Sequence, residues 1–246
     1  MQSVMTRTAT LRAPSGSMTD VFACARAQIY YNSKRKPLAQ VKRETGCSHI
    51  INGYLFNGSF QPVGWTVIDG KVISRDAYQD WGISIGSDGK PQMLTDRGGS
   101  FLSGVPLLKN GAKLERSLTP DVARSAARTA VGWMPDGRIC LWCDKTSLTR
   151  DQLQNKLLGL GISDALMLDG GGSTQGRFPD GAVTSSRKVA TRLLFWQEAE
   201  AAAPENPAMK WAAEKEILTE AQLTDPGKTV TRQELLQSLY RLWQHI

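Results

Sequence analysis

The sequence predicts an α+β protein, in which a β-rich domain with a mixed sheet and few helices is followed by a small C-terminal helical hairpin. Three observations indicate this fold class. Asp-Gly pairs separate β-like apolar runs between residues 50 and 145, one well-capped helix follows them, and the composition changes near residue 198. Strands and helices do not alternate along the chain, so the sequence does not predict a parallel βαβ fold.

Each of three Asp-Gly pairs is flanked by segments with the composition of β-strands. The segment WTVIDGKVIS (residues 65–74) has the strongest signal, because Asp-Gly favours the two-residue turn of a β-hairpin. The segments ISIGSDGKPQML (83–94) and TAVGWMPDGRICLWC (129–143) repeat the pattern less regularly. Neighbouring strands in this region are therefore expected to be mostly antiparallel.

One helix is predicted directly after the third hairpin. Thr149 and Gln152 have the spacing of a capping box, four leucines supply an apolar stripe, and two glycines near residue 160 end the helix. A short apolar run, ALML (165–168), follows and leads straight into DGGG (169–172). This order predicts a buried strand that ends on a carboxylate and three glycines.

The chain divides by composition into a domain over residues 1–197, a linker over 198–206 and a helical segment over 207–246. The linker is rich in alanine, glutamate and proline, and proline discourages a continuous helix. Two amphipathic stretches follow it, the second with Thr231 and Glu234 in capping-box positions. About forty residues rarely bury a stable core alone, so this segment is expected to dock, self-associate or bind.

Composition and charge narrow the function classes. No apolar run approaches membrane-spanning length, and the N-terminal residues have no apolar core typical of a signal peptide. The protein is therefore expected to be cytoplasmic at synthesis, and leaving the cell would require lysis or association with a virion. The formal net charge of +7 favours an anionic partner, and no nucleic-acid-binding motif is present.

The four cysteines are expected to be structural thiols. Cys140 and Cys143 form CLWC, half of a zinc-binding pattern, but no second pair or histidine cluster completes it. Positions three apart on a strand also point to opposite faces. The sequence therefore predicts neither a metal site nor a cofactor.

The DGGG segment is the strongest candidate for a functional site. It does not match a dinucleotide-binding turn or a Walker phosphate loop, because the sequence continues into a proline and a further Asp-Gly turn and contains no GK[ST]. A carboxylate beside backbone N–H groups that no Cβ obstructs can form an anion-binding nest or admit a sugar. An ordinary loop is the alternative.

Together with its surroundings, GLGISDALMLDGGGST (159–174) resembles the signature of the phosphodiester glycosidase family. The resemblance covers roughly residues 20–196. Further blocks follow the family's order, namely GCSHIINGYLFNGSFQPVGWTVIDGKVI (46–73), SGVPLLKNGA (103–112), ARTAVGWMPDGRICLWCDKTSLTRDQLQNKL (127–157) and VATRLLFW (189–196). The family cleaves the bond between an anomeric carbon and a phosphate oxygen, so the resemblance implies a sugar-phosphodiester or an anionic glycopolymer as substrate.

The resemblance also implies roles for particular residues. Arg128 is expected to hold phosphate in a fork, and Asp169 and Asp144 are the candidate catalytic carboxylates. A surface arginine and a turn-capping Asp169 are the alternatives. Candidate substrate-binding residues are Asn52, His49, Gly170, Gly171, Gly172, Ser173 and Thr174. An Asn-Gly turn is the alternative for Asn52, and a structural role is the alternative for His49.

Two other functions remain open at the level of sequence. The chain could be a non-catalytic glycan- or wall-binding protein, or an enzyme that cleaves a phosphodiester in a nucleotide-type ligand. The C-terminal segment resembles a single S-layer homology motif, a type that binds wall glycans, and a generic helical hairpin is the alternative. Its many apolar residues favour self-association of the chain into a homo-oligomer through this segment.

Overall fold

The structure, a computed structural model, describes residues 16–198, which belong to one compact unit. The predicted linker and the predicted C-terminal helical segment lie outside these residues. In chain order the elements are β1 (Ser17–Phe22), β2 (Cys24–Tyr31), α1 (Leu38–Thr45), β3 (His49–Asn52), β4 (Trp65–Ile68), β5 (Lys71–Arg75), β6 (Gly82–Ile85), β7 (Pro91–Leu94), β8 (Ser100–Ser103), β9 (Val105–Lys109), β10 (Ala112–Lys113), α2 (Pro120–Ala123), β11 (Ala126–Trp133), β12 (Ile139–Leu148), α3 (Arg150–Gly159), β13 (Asp164–Met167), β14 (Gly176–Phe178), β15 (Gly181–Val183) and β16 (Thr191–Gln197).

The strands form three sheets, and every strand pair within residues 16–198 is antiparallel. The orders are β1-β12-β11-β13-β9-β10, β15-β14-β3-β16-β2 and β5-β4-β8-β6-β7. The predicted α+β class with a mixed sheet is therefore wrong, and the described domain is mainly β. Helix α3 does join two strands of the same direction, β12 and β13, but β11 lies between them and pairs with both in antiparallel register.

The local predictions within this domain are confirmed. All three Asp-Gly segments are turns of antiparallel hairpins, β4–β5, β6–β7 and β11–β12. In the first, Asp69 and Gly70 both have positive φ, 50° and 76°, as a turn that matches the strand twist requires. Thr149 and Gln152 form the expected reciprocal capping box at the start of α3.

The main core lies between the sheets and contains completely buried side chains from all three, including Ile29, Ile51, Leu102, Val131 and Leu166. Strand β16 serves two cores, because successive side chains point to opposite faces. Leu193 and Phe195 face the main core, whereas Leu194 packs with Val41 of α1. Helix α1 therefore covers the outer face of the β3–β16 pair.

The four cysteines are buried free thiols, as the sequence predicts. Burial raises the pKa of Cys140 and of Cys143 to about 12, so both remain protonated at neutral pH. Among the described helices, none has the length and apolar character needed to cross a membrane.

Candidate active site

The candidate site is built where β13 ends. Leu168 continues the ladder by donating its N–H to the carbonyl of Thr129, at 2.9 Å. The backbone of Asp169 is then held from both sides: its N–H donates to the carbonyl of Gly53 at 3.1 Å, and its carbonyl accepts from Asn52 Nδ2 at 2.8 Å. The end of β3 thus fixes the position of the carboxylate predicted from DGGG.

Asn52 connects three segments of the site and is completely buried. Its Oδ1 accepts hydrogen bonds from Thr129 Oγ1 at 2.8 Å and from the N–H of Gln175 at 3.1 Å. Its Nδ2 donates to the carbonyls of Gly53 and Asp169. Two donors and two acceptors are the full capacity of the amide. Asn52 therefore holds the loop, the alternative that the sequence left open, and has no group free for a sugar hydroxyl.

The Asp169 carboxyl is half-buried, and its pKa is raised. Loss of solvent is the main cause, while the Ser173 hydroxyl, the charge of Arg187 and the N–H of Gly170 act in the opposite direction. The Ser173 hydroxyl is completely buried and has no well-aligned hydrogen-bond partner. It nevertheless lies close enough to the Asp169 carboxyl to lower its pKa. A carboxyl set this way still ionises, at a higher pH than a solvated one.

The glycines after Asp169 allow the loop to approach its neighbours closely. A Cβ on Gly170 would lie only 2.5 Å from the carbonyl oxygen of Ala127, and Gly171 has φ of 56°. Gly171, Gly172 and Ser173 form one turn of 3₁₀ helix. These requirements explain two of the three consecutive glycines: a side chain at position 170 would overlap the backbone, and position 171 is in the left-handed region.

Gly170→Ala tests the close approach. The methyl group would overlap the Ala127 carbonyl and push Asp169 out of place, so we expect a loss of about 1–3 kcal/mol in the free energy of unfolding together with lower activity. Chemical denaturation measures the first effect. Gly58→Ala is the matched control, since a Cβ there meets open space. Equal stability of the two variants would contradict the packing described.

Two exposed arginines flank the glycine turn, and the sequence reasoning assigned neither of them to the site. A Cβ on Gly171 would lie 3.6 Å from Arg124 Nη2, and one on Gly172 would lie 3.6 Å from the Arg187 side chain. Arg187 also lies over the ring of Phe56, 5.1 Å from its centroid. For Arg187, the sequence feature that could have indicated a place in the site is the basic pair Arg187–Lys188, which follows the β14–β15 hairpin. No sequence feature indicates Arg124, because only the fold brings the end of α2 next to the glycine turn.

Arg128, the predicted phosphate clamp, is buried and occupied by the protein itself. Its guanidinium donates to the carbonyls of Leu148 at 3.0 Å, Val122 at 3.2 Å and Arg124. Burial, and then the neighbouring Arg124, lower its pKa. Arg128 therefore joins α2 to the end of β12, beneath Gly170, and supports the site as a positioning residue. The exposed guanidinium groups beside the glycine turn belong to Arg124 and Arg187.

The structure buries both Asp144 and His49. Asp144 is 5% exposed and accepts a hydrogen bond from the N–H of Thr146 at 2.7 Å. His49 is completely buried, with Nε2 2.9 Å from Asp20 Oδ2 and its ring stacked on Phe22 at 3.9 Å. His49 has no exposed surface, and these contacts are those of a structural residue, the alternative that the sequence left open. The second carboxylate that acts on Asp169 is the exposed Asp121, whose charge raises the pKa of Asp169.

Besides that of Ser173, the buried hydroxyl groups of Tyr54 and Thr174 have no hydrogen-bond partner. Tyr54 follows the Asn52–Gly53 pair, and its pKa is raised by burial and, to a lesser degree, by the charges of Tyr78, Asp169 and Asp76. The phenol is therefore protonated at neutral pH and can only donate toward an anion. Within residues 16–198 no three potential metal-ligating side chains come together.

A family model describes this part of the chain. The model of the phosphodiester glycosidase family matches residues 45–196, which include β3, the glycine turn and β16. The chain belongs to the phosphodiester glycosidase family. No curated protein matches the sequence significantly. The family assignment points to a hydrolase of the glycosidase type that acts on a phosphodiester.

Solved structures show the same fold at low identity. The catalytic domain of zebrafish N-acetylglucosamine-1-phosphodiester alpha-N-acetylglucosaminidase, auto-inhibited by its pro-peptide, aligns with TM-score 0.57 and 18% identity over 78% of this chain and 87% of that one. A hypothetical protein from Synechocystis aligns with TM-score 0.62 and 13% identity, over 77% and 61%. A putative exported protein from Burkholderia pseudomallei has TM-score 0.52 and 12% identity, over 73% and 74%. The phosphodiester glycosidase fold is thus shared, and at these identities the likeness extends to the fold alone.

Proposed function

We propose that this phosphodiester glycosidase hydrolyses a sugar-1-phosphodiester at the bond between the anomeric carbon and the phosphate oxygen. The observation that carries the proposal is one half-buried carboxylate, Asp169, beside a glycine turn that two exposed arginines flank. A sugar phosphodiester requires both features: a carboxylate for the positive charge that develops on the anomeric carbon, and cations for the phosphate.

The arginines supply the phosphate contact. A guanidinium can donate two parallel hydrogen bonds to phosphate oxygens. Arg124, which follows α2, and Arg187, which follows β15, both lie beside the glycine turn. A phosphate between the two arginines would bring the attached sugar beside Asp169.

The reaction then needs little acid catalysis. The C1–O bond breaks, and its electron pair leaves on a phosphate oxygen, which is a far weaker base than an alkoxide. Water supplies the hydroxyl to C1, and its proton passes to Asp169 or to solvent. If Asp169 attacks C1 instead, the sugar is released with retained configuration.

A panel of α- and β-linked sugar-1-phosphodiesters tests the proposal, with nucleotide-sugars included. We expect free sugar and a phosphomonoester as products, and in ¹⁸O-water the label should enter the sugar. Label in the phosphate, with sugar-1-phosphate as product, would instead support cleavage of the P–O bond. Saturable binding without turnover would support a glycan-binding protein. Proton NMR of the first sugar released distinguishes retention from inversion.

The roles of the two arginines predict a change in KM. Replacing Arg124 or Arg187 by glutamine removes hydrogen bonds between charged groups, so we expect KM to rise at least about tenfold in each variant, and the salt dependence of kcat/KM to weaken. Arg75→Gln, an exposed arginine of β5, is the control for loss of one charge. Unchanged KM in both site variants would exclude them as phosphate ligands.

A further inference from the structure

A separate cavity lies on the outer face of the β14–β3–β16 sheet, next to α1. Its volume is about 390 Å³. Its walls include the first residues of α1 and four basic side chains, namely Leu38, Ala39, Arg177, Arg187, Lys188 and Arg192. None of the lining residues is acidic. Asp169 and the glycine turn do not line it, so this cavity is distinct from the candidate active site, although Arg187 borders both.

Arg192 is the feature that an ordinary basic surface does not explain. It is completely buried. Its guanidinium donates to Gln175 Oε1 at 3.3 Å and to the Lys36 carbonyl at 2.9 Å, and its Nε has no hydrogen-bond partner. Burial lowers the pKa of Arg192 to about 10. Both acceptors are neutral groups, and a buried guanidinium is costly unless an anion compensates it.

The start of α1 adds a second positive element to the same cavity. Helix α1 begins after Pro37, no side chain caps it, and its first turn contains no acidic residue. The first N–H groups of a helix have no partner within the helix, and the helix dipole makes this end positive. Leu38 and Ala39, which carry such groups, line the cavity. Backbone donors and guanidinium groups together are the usual means of binding phosphate.

We propose that this cavity is a second anion site that binds a phosphate group. The volume is at the small end of ligand sites, which suits a phosphate with a short attached group. The bound phosphate could come from either of two sources with the same chemistry. One is free inorganic phosphate, and the other is a second phosphate group of a substrate that carries several in succession. The site stands without the catalytic proposal, and only the second source rests on the proposed function.

Calorimetric titration with inorganic phosphate tests the site on the full chain. Arg177 and Lys188 are exposed, so Arg177→Gln/Lys188→Gln should fold normally and should weaken phosphate binding at least about tenfold. Lys71→Gln with Arg75→Gln is the control of equal charge, on exposed positions of β5. Arg124→Gln removes the phosphate contact proposed at the active site and should leave this binding in place.

Arg192→Met is the second variant, and it should abolish binding if circular dichroism shows a folded protein. Equal phosphate affinity in the wild type and in the Arg177/Lys188 variant would overturn the proposal. Binding lost in Arg124→Gln and retained in the Arg177/Lys188 variant would assign the phosphate to the active site alone and would also overturn it.

A kinetic arm separates the two sources of phosphate. Substrates with one and with two successive phosphodiesters are compared, and a lower KM for the longer one that disappears in the Arg177/Lys188 variant supports a substrate phosphate. Equal KM values, with phosphate binding intact, support free phosphate. If no substrate is turned over at all, the proposed function fails. The anion site is still tested, because Asp169 does not line the cavity and titration of Asp169→Asn with phosphate measures binding there without any turnover.

Discussion

Asp169→Asn is expected to lower kcat by about 10²- to 10⁴-fold and, at neutral pH, to make the protein more stable than the wild type. The loss of activity follows because the amide can neither attack the anomeric carbon nor take a proton. The shape is retained, since the backbone of residue 169 keeps its hydrogen bonds to Asn52 and Gly53.

The gain in stability follows from the raised pKa of Asp169. The folded state holds this proton more tightly than the unfolded chain does, so the contribution of Asp169 to stability is complete below its unfolded pKa. It is lost as the pH rises through the folded pKa. At neutral pH the wild type carries an ionised, partly desolvated carboxylate that the asparagine variant lacks. The difference in Tm between the two should vanish in acid.

The same pKa determines the acid limb of activity. Because Asp169 must be ionised to act, kcat/KM of the wild type should fall in acid with an apparent pKa above the usual range of a carboxyl group. Asp88→Asn, at an exposed turn, is the matched control. Asp144→Asn tests the other carboxylate that the sequence predicted. Full turnover by Asp169→Asn would remove this residue from the mechanism, and loss of turnover in Asp144→Asn alone would transfer the role.

Arg128→Lys is expected to destabilise the fold by about 2–4 kcal/mol, because the three donors of an ammonium group sit on one nitrogen and cannot reach all three carbonyls that the planar guanidinium contacts. Since those carbonyls belong to α2, to residue 124 after it and to the end of β12, the loss should also displace Arg124 and raise KM. Urea denaturation gives the free energy of unfolding, and steady-state kinetics gives KM.

The two possible roles of Arg128 predict different results. A positioning role predicts that stability and KM change together, and that both recover partly at lower temperature or with a stabilising osmolyte. A variant as stable as the wild type that nevertheless binds substrate poorly would show that Arg128 holds the phosphate itself. Arg75→Lys on β5 provides the matched exchange at an exposed position and should alter neither quantity.

The candidate site was predictable from the sequence where its features are local. The carboxylate after a buried strand and the three glycines are contiguous, so Asp169 and its turn were identified from their order alone. The glycines needed no knowledge of partners, because their residue type already indicated a close approach or positive φ. Asn52 was found through the family resemblance, but its contacts, which distinguish a loop support from a sugar ligand, come from segments more than seventy residues away.

The residues that were missed share a physical reason. Arg124 and Arg187 become site residues through their distance to Gly171 and Gly172, and a basic side chain in a loop looks the same in sequence whether or not it meets such a turn. Arg128 is the opposite case, a residue that the sequence assigned to phosphate binding. Its strand resembles that of the family, but its side chain is buried and bonded to backbone carbonyls. Charge and residue type are local properties, whereas direction and burial are not.

The sequence by itself determined the hairpins, the capped helix and the strand that ends on Asp169, because turn geometry, capping and hydrophobic periodicity act over a few residues. The tertiary structure alone decided that β12 and β13, the two strands that α3 joins, do not pair in parallel, because β11 lies between them and pairs with both. It also decided which cations face the carboxylate and which face the second cavity. These features depend on packing between segments that are distant in sequence, and the free energy of such contacts cannot be derived from any one segment alone.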